Sequence, residues 1–399
     1  MALIAMVGLS QFADLGVAMA FQQALSEAWA RGNDSELKAT YSSGLRLLTY
    51  LGIAWFIGGA ALAWFFGSRL LAAPNIDSHH ARICWLVVAT SMAAGIPFSA
   101  ALRLASAIQA AWIAAFWTAL CNVATVAAAW LLAKPSIDAG ALGYVILLAA
   151  GQLAPGIMCA LHLPRRLGWA KPFRSEPMLI RRLWRDALPF ATQNLAGALL
   201  QAATPWAFAR FGGYSANAAF AVLQRLFGLA QQAHALLLGP LWPAYAEAKV
   251  RGDQAWIART FRISILLTIP VMVAVVAMAT MLPRILEMWL GANALQPSPA
   301  MAWLVALWVV TAIFGQPFVL LLLGLGQIQR TSFSVMIAHV VTFAAMIGLG
   351  LRFGGVGVAA ALSGGLTLGV LPLYLRTAPD ALRKLPQSES TGADSITKV

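Results

Sequence analysis

The chain has 399 residues, of which 60% are hydrophobic and only 10% are charged, and this balance excludes an ordinary soluble domain, where about a quarter of residues are charged. Its net charge of +13 does not indicate nucleic-acid binding, because the basic residues lie between apolar segments, as in the cytoplasmic loops of membrane proteins. The apolar stretches are about 20 residues long, which suits membrane helices and exceeds the roughly 10 residues of barrel strands.

The sequence therefore predicts an all-α polytopic membrane protein of about eleven transmembrane helices. Polar residues, glycine and proline separate the apolar stretches, as is typical of turns. In chain order the predicted spans are 2–30, 41–66, 83–102, 105–132, 139–163, 187–211, 217–243, 260–283, 301–323, 332–351 and 355–376.

Lysine and arginine are distributed unequally between the two sides of the predicted membrane. Twenty lie in one set of loops, together with the C-terminal tail, six lie in the opposite loops, and Arg225 lies within a span. Cytoplasmic loops collect positive charge, so the C-terminus is predicted to be cytoplasmic. The predicted organisation is an N-terminal lobe of five helices (1–163), a basic cytoplasmic linker (164–186), a C-terminal lobe of six helices (187–376) and a polar tail (377–399).

An internal repeat relates the two lobes at an offset of 220 residues. The motif EAWARGN at 27–33 recurs as EAKVRGD at 247–253, and PF at 97–98 recurs at 317–318. The repeat spans six helices, so both copies enter the membrane in the same sense, and a substrate pathway is expected between the lobes. The first motif ends the first helix of its lobe and the second motif ends the second helix, so we expect a twelve-helix fold that lacks its first helix.

The motifs resemble those of a known family. FADLG at 12–16 with EAxxRGN at 27–33 is similar to the second helix and following loop of bacterial polysaccharide-biosynthesis proteins of the oligosaccharide-flippase type. LWPAYAEA at 241–248 with RGD at 251–253 resembles their eighth helix and loop. That superfamily also includes multidrug extruders and lipid II flippases. The resemblance implies a two-lobe exporter fold, alternating access in the bacterial inner membrane, and an undecaprenyl-diphosphate-linked oligosaccharide as substrate, for cell-surface polysaccharide or lipopolysaccharide synthesis.

Two ionisable residues are candidates for a substrate cavity. Asp14 and Arg225 lie within predicted spans, where a charge costs about 2.5–3.5 kcal/mol on insertion scales and is commonly functional. Arg225, beside Gln224, suits a diphosphate, which an arginine engages in a fork, whereas Asp14 suits a cation or a proton. The alternative is that nearby polar groups neutralise both residues, which then only fix helix packing.

Uncharged polar residues give further candidates. His234 lies 220 residues after Asp14 and is a candidate proton relay, with a hydrogen-bonded structural histidine as the alternative. Gln193, Asn194 and Gln201 suit either sugar hydroxyls or hydrogen bonds between helices, and helix contacts are the commoner role.

Two further motifs predict structural contacts. Glu27 with Arg31, and Glu247 with Arg251, have the i,i+4 spacing of helical ion pairs and are predicted to close the cytoplasmic gate. The spacing of Gly365 and Gly369 permits a close helix contact.

Three functions remain open. The sequence contains no phosphate-binding loop, no HExxH and no GxSxG, so it predicts no enzyme, and no cofactor or metal site is expected. The first hypothesis is a flippase for a lipid-linked oligosaccharide, coupled to a cation or a proton. The second is a multidrug or metabolite cation antiporter of the same fold, with Asp14 as the cation site. The third is a membrane scaffold in polysaccharide assembly that transports nothing.

Overall fold

A computed structural model describes residues 16–70, 78–134, 140–169, 175–291 and 296–383. Within these ranges the chain forms helices joined by short turns and no strand, which confirms the all-α prediction. The helices are α1 (Val17–Ala30), α2 (Asp34–Leu70), α3 (Ser78–Ala107), α4 (Ala111–Leu132), α5 (Gly140–Arg166), α6 (Pro177–Leu238), α7 (Leu241–Arg251), α8 (Gln254–Thr280), α9 (Leu282–Leu290), α10 (Pro299–Gly324), α11 (Gln329–Gly364), a π-helix (Gly365–Val370) and α12 (Leu371–Arg383).

Seven stretches of the described chain are long and apolar enough to cross a membrane. They lie in α2, α3, α4, α5, α8 and α10, and the seventh, Gln329–Arg383, runs from α11 to α12. Many of their large apolar side chains face outward, such as Val123 and Val126 in α4, which are 68% and 69% exposed. Such a surface suits lipid, so the chain is a multi-pass membrane protein.

Glycine breaks divide two long helices, α6 and α11. α6 contains Gly213 at φ 81°, and α11 contains Gly354 at φ 61°. Both values lie in the left-handed region, which glycine enters without the steric cost that a Cβ atom brings. The breaks separate the pairs of spans predicted at 187–211 and 217–243, and at 332–351 and 355–376.

Several helices extend beyond the apolar stretches from which they were predicted. The segment 164–186, predicted as a connection, is partly helical, because α5 continues to Arg166 and α6 begins at Pro177. Proline favours the first turn of a helix, where its missing N–H is not needed. The length of an apolar stretch reflects the thickness of the membrane and does not show where the helix ends. The length of a helix that continues into water is therefore underestimated.

The chain divides into two compact units, Met1–Ala191 and Thr192–Val399. In the second unit, Phe208 and Phe220 stack with ring centroids 4.3 Å apart within a core of buried apolar residues. In the first unit, Phe21 is fully buried and its ring lies 6.2 Å from that of Tyr41. Each unit therefore has an apolar core of its own.

The offset of 220 residues is preserved in the helices. α2 runs from residue 34 to residue 70, and its counterpart is α8 followed by α9, which together run from 254 to 290. Pro97 lies inside α3, and Pro317 lies inside α10. Tyr41 and its counterpart Phe261 are each 9% exposed. The two lobes are thus pseudo-symmetric in their elements as well as in their motifs.

Candidate functional site

A histidine and a glutamine form a buried polar contact inside the second unit. His234 in α6 has no exposed surface, and its Nδ1 lies 2.9 Å from Oε1 of Gln316 in α10. With an amide oxygen as acceptor, Nδ1–H is the donor and Nε2 carries the lone pair. Nε2 is buried and has no hydrogen-bond partner among the described residues. Only one of the two imidazole nitrogens therefore has a hydrogen-bond partner among the described residues, and the other, Nε2, is able to accept a proton or face a cation.

Arg225 lies near the middle of the second segment of α6. It follows Gly213 by twelve residues and precedes Leu238 by thirteen. At 1.5 Å per residue this places it about 18 Å from either end, well within a hydrocarbon core about 30 Å thick. The side chain is exposed. It lies nine residues from His234, which is half a turn around the helix, so the two residues face opposite sides and do not form one site.

The exposed face around Arg225 combines polar and apolar groups. Leu229, Gln232 and Leu236 follow at helical spacing on the same face, and all three are exposed, Leu229 to 66% and Leu236 to 79%. We call Arg225, Leu229, Gln232 and Leu236 the Arg225 face. An arginine turned toward lipid at this depth is costly, and such residues almost always face a water-filled cavity or the interior of the bundle.

The remaining cavity candidates are placed as follows. Gln224 precedes Arg225 and is partly buried, whereas Asn194 and Gln201 lie in the first segment of α6, seven residues apart on one face, with Gln201 exposed. The backbone of Gln193 is helical, but its side chain lies outside the described part of the chain, as does Asp14.

The turn between α1 and α2 carries an ion pair other than the predicted one. Arg31 forks onto Glu36, with Nη2–Oε1 and Nε–Oε2 distances of 2.7 and 3.1 Å. Glu27 instead accepts a hydrogen bond of 3.0 Å from Gln23. The predicted Glu27–Arg31 pair is therefore wrong. The reason is the tight turn: Asn33 accepts a 3.2 Å bond from the Glu36 amide and so holds the start of α2 beside Arg31.

The equivalent turn in the second unit forms the ion pair that the spacing predicted. Arg251 pairs with Glu247 within α7, and Asp253 caps α8 by accepting a 2.9 Å hydrogen bond from the Trp256 amide. The counterpart of Glu36 is Trp256, which has no carboxylate to offer Arg251. The two turns therefore share their capping but differ in their ion pairs.

Sequence reasoning missed the polar contacts between distant residues, and three of them involve the side chain of a histidine, an arginine or a lysine. Besides the contact of His234 with Gln316, these are Arg103, whose Nη1 donates to Oε1 of Gln22 at 3.0 Å, and Lys249, whose Nζ donates to the Leu325 carbonyl at 2.9 Å. The partners in each pair are 76 to 82 residues apart, and no local pattern links them. The sequence offered one signal for Gln316 as a candidate: it precedes Pro317, which corresponds to Pro97 in the repeat.

The described residues contain no group of three or more His, Cys, Asp or Glu that could hold a metal ion. The polar contacts of the second unit are thus those of single side chains on packed helices. Such side chains are able to bind a proton, a monovalent cation or a polar headgroup. None of these contacts pairs a nucleophile with a base.

The chain matches known proteins in structure but not in sequence. No protein-family profile matches the chain, and no curated protein matches it in sequence. Solved structures of transporters do match, over nearly the whole chain.

Three of these structures illustrate the likeness. A multidrug resistance MATE family transporter of the MOP superfamily, in an outward-facing conformation, gives a TM-score of 0.78 at 12% identity, covering 96% of this chain and 88% of that one. A MOP superfamily transporter from Pyrococcus furiosus, described as having a binding pocket of reverse polarity, gives 0.72 at 14% identity, covering 96% and 88%. The MATE transporter ClbM in complex with Rb+ gives 0.71 at 16% identity, covering 97% and 86%. The chain therefore has the two-lobe fold of MATE transporters of the MOP superfamily.

Proposed function

We propose that this chain is a flippase that moves a lipid-linked oligosaccharide across the membrane by alternating access. The observation that carries the proposal is the Arg225 face, where a cation at mid-membrane depth lies among a glutamine and two exposed leucines. A lipid-linked saccharide combines a diphosphate, hydroxyl groups and a hydrocarbon chain. Arginine, amide and leucine side chains are the groups that bind these three chemistries.

The distribution of charge favours an anionic substrate over a cationic drug. Among the described residues, every Asp and Glu lies outside the predicted spans or within four residues of the end of one. Arg225, in contrast, lies midway along a span. A cavity that binds cations needs a negative charge at depth. Within the described part of the chain the deep charge is positive, and Asp14, the carboxylate predicted within a span, lies outside that part.

The basic residues and two sequence motifs support an orientation and a location in the membrane. Twenty basic residues on one side against six on the other support a cytoplasmic C-terminus by the positive-inside rule. The resemblance of the EAxxRGN and LWPAYAEA motifs to bacterial polysaccharide-biosynthesis proteins supports a location in the bacterial inner membrane.

Transport against a gradient requires coupling, and we assign this role to a monovalent cation or a proton. ClbM, which shares the fold, was solved with Rb+. In this chain, the buried Nε2 of His234 has no hydrogen-bond partner among the described residues and is the group best placed to take a positive charge. His234→Gln should then weaken the dependence of transport on the ion gradient while leaving substrate binding intact.

A cell-based assay separates the three hypotheses. The chain, Arg225→Gln and the matched control Arg210→Gln are expressed in a bacterial strain that lacks its oligosaccharide flippase and in a drug-sensitive strain. Arg210 is exposed near the Gly213 break and lies off the Arg225 face. The proposal predicts that the chain and the control restore surface polysaccharide and that Arg225→Gln does not. Drug resistance that depends on Asp14, without restored surface polysaccharide, would establish the antiporter. If the chain restores neither surface polysaccharide nor drug resistance, the result favours the scaffold.

A further inference from the structure

An apolar groove runs along the helices at the C-terminal end of the described chain. It has a volume of about 740 Å³ and is lined by one face of α11 and by the opposing face formed by the end of α11, the π-helix and the start of α12. Its rims are the exposed side chains of Ile337, Val341 and Leu368, which are 47%, 60% and 80% exposed. We call this cavity the α11 groove. A volume of a few hundred Å³ or more is that of an ordinary ligand site.

Close helix packing forms the floor of the groove. A Cβ atom on Gly365 would lie 1.9 Å from Oγ1 of Thr342, and one on Gly369 would lie 3.3 Å from Cβ of Ala338. The two helix segments therefore approach at these glycines, as the spacing predicted. The larger side chains at the rims stand apart above this contact and leave a channel between them.

Two arginines lie at one end of the groove. Arg330 precedes the lining residue Ser334 by four residues, and Arg376 follows the lining residue Leu373 by three, so they extend their walls of the groove by about 6 and about 4.5 Å. Both arginines are exposed. The other end lies near Leu349, at the far end of the predicted span 332–351 and close to the break at Gly354. The groove thus joins a hydrocarbon channel to a pair of positive charges.

We propose that the α11 groove binds a phospholipid with an anionic headgroup, whose acyl chain lies along the groove and whose phosphate contacts Arg330 and Arg376. The charge distribution selects this occupant. The groove lies in a membrane-spanning stretch, where hydrocarbon chains are the solvent, and two arginines favour a headgroup with a net negative charge over a zwitterionic one, whose ammonium group offsets its phosphate. The positive-inside rule places these two arginines at the cytoplasmic leaflet, where anionic lipids concentrate. The site is separate from the Arg225 face and does not depend on the transported substrate.

The test is native mass spectrometry of the purified chain released from nanodiscs. The nanodiscs contain equal amounts of phosphatidylglycerol and phosphatidylcholine with identical acyl chains. The chain should retain phosphatidylglycerol in at least roughly five-fold preference. The double variant Arg330→Gln/Arg376→Gln should bring the ratio to near one, whereas Arg352→Gln, in α11 but at the opposite end of the groove, should leave the preference intact.

A second pair of variants tests the groove itself. A Cβ atom on Gly364 or on Gly348 would meet nothing within 4 Å, so both positions have open space at the base of a new side chain. Gly364 lines the groove and Gly348 does not. Gly364→Leu should reduce the retained lipid, and Gly348→Leu should not. The proposal is overturned if the preference survives the double arginine variant, if Arg352→Gln lowers it equally, or if a second copy of the chain occupies the groove and the particle is a dimer that Gly364→Leu dissociates.

Discussion

Arg31 and Arg251 occupy the same position in the repeat yet pair in opposite directions along the chain. Arg31 reaches forward to Glu36 at the start of the next helix, and Arg251 reaches back to Glu247 in its own helix. The first pair therefore joins two helices across a turn, and the second stabilises only one. The duplicated motif has kept its backbone geometry while its ion pairs have diverged.

A double-mutant cycle should detect this difference. The Arg31–Glu36 pair is partly exposed, so its coupling free energy should be at most about 1 kcal/mol. Arg31→Ala with Glu36→Gln should show that coupling, and Arg31→Ala with Glu27→Gln should show none, measured by the free energy of unfolding in a graded mixture of mild and denaturing detergent. Equal coupling in the two cycles would mean that Glu27 shares Arg31.

The two capping residues should contribute similar stability. Asn33 and Asp253 accept hydrogen bonds from the third residue of the following helix, at 3.2 and 2.9 Å. Asn33→Ala and Asp253→Ala should each lower the free energy of unfolding by about 0.5–2 kcal/mol, whereas Asp253→Asn should retain most of the stability. A loss as large in Asp253→Asn would show that its charge matters more than its cap.

The His234–Gln316 contact should show the asymmetry that is typical of buried hydrogen bonds. Gln316→Leu leaves Nδ1–H of a fully buried imidazole without its acceptor and should lower the free energy of unfolding by about 1–3 kcal/mol. The double variant His234→Leu/Gln316→Leu removes both polar groups and should recover much of that loss. If the double variant is less stable than Gln316→Leu, His234 has a further favourable contact.

The glycine contact in the floor of the α11 groove should tolerate no side chain. In Gly365→Ala, the new Cβ atom would lie 1.9 Å from Thr342, and overpacking of this kind costs about 1–3 kcal/mol. Gly348→Ala is the control, because a Cβ atom there meets nothing, and it should be neutral or stabilising by up to about 1 kcal/mol. Thermal unfolding in detergent measures both, and equal midpoints would mean that α11 and the π-helix shift apart at little cost.

The fold was predictable because long apolar stretches recur along the chain. Apolar length predicted the spans, and the breaks in α6 and α11, at Gly213 and Gly354, fall between predicted spans. Helix ends were less predictable, because Arg166 and Pro177 continue helices into water, where apolarity carries no information.

The site was predictable only in part. A polar residue in an apolar run is visible in sequence, so Arg225 and His234 could be named as candidates. Their partners were not, because Gln316 lies 82 residues from His234, and only folding brings the two together. The Arg31–Glu36 pair was missed for a related reason: the i,i+4 rule holds within one helix, and Arg31 is where the helix ends.

The most direct test of the central claim is transport in reconstituted vesicles. Proteoliposomes carry the chain and a fluorescent undecaprenyl-diphosphate-linked oligosaccharide, and a membrane-impermeant quencher reports the fraction that changes leaflet. The account predicts protein-dependent translocation that falls roughly ten- to hundred-fold in Arg225→Gln, as the loss of one charge-assisted contact implies, with partial activity in Arg225→Lys and full activity in Arg210→Gln. Translocation that is unaffected by Arg225→Gln, or absent while a cationic dye is transported, would contradict it.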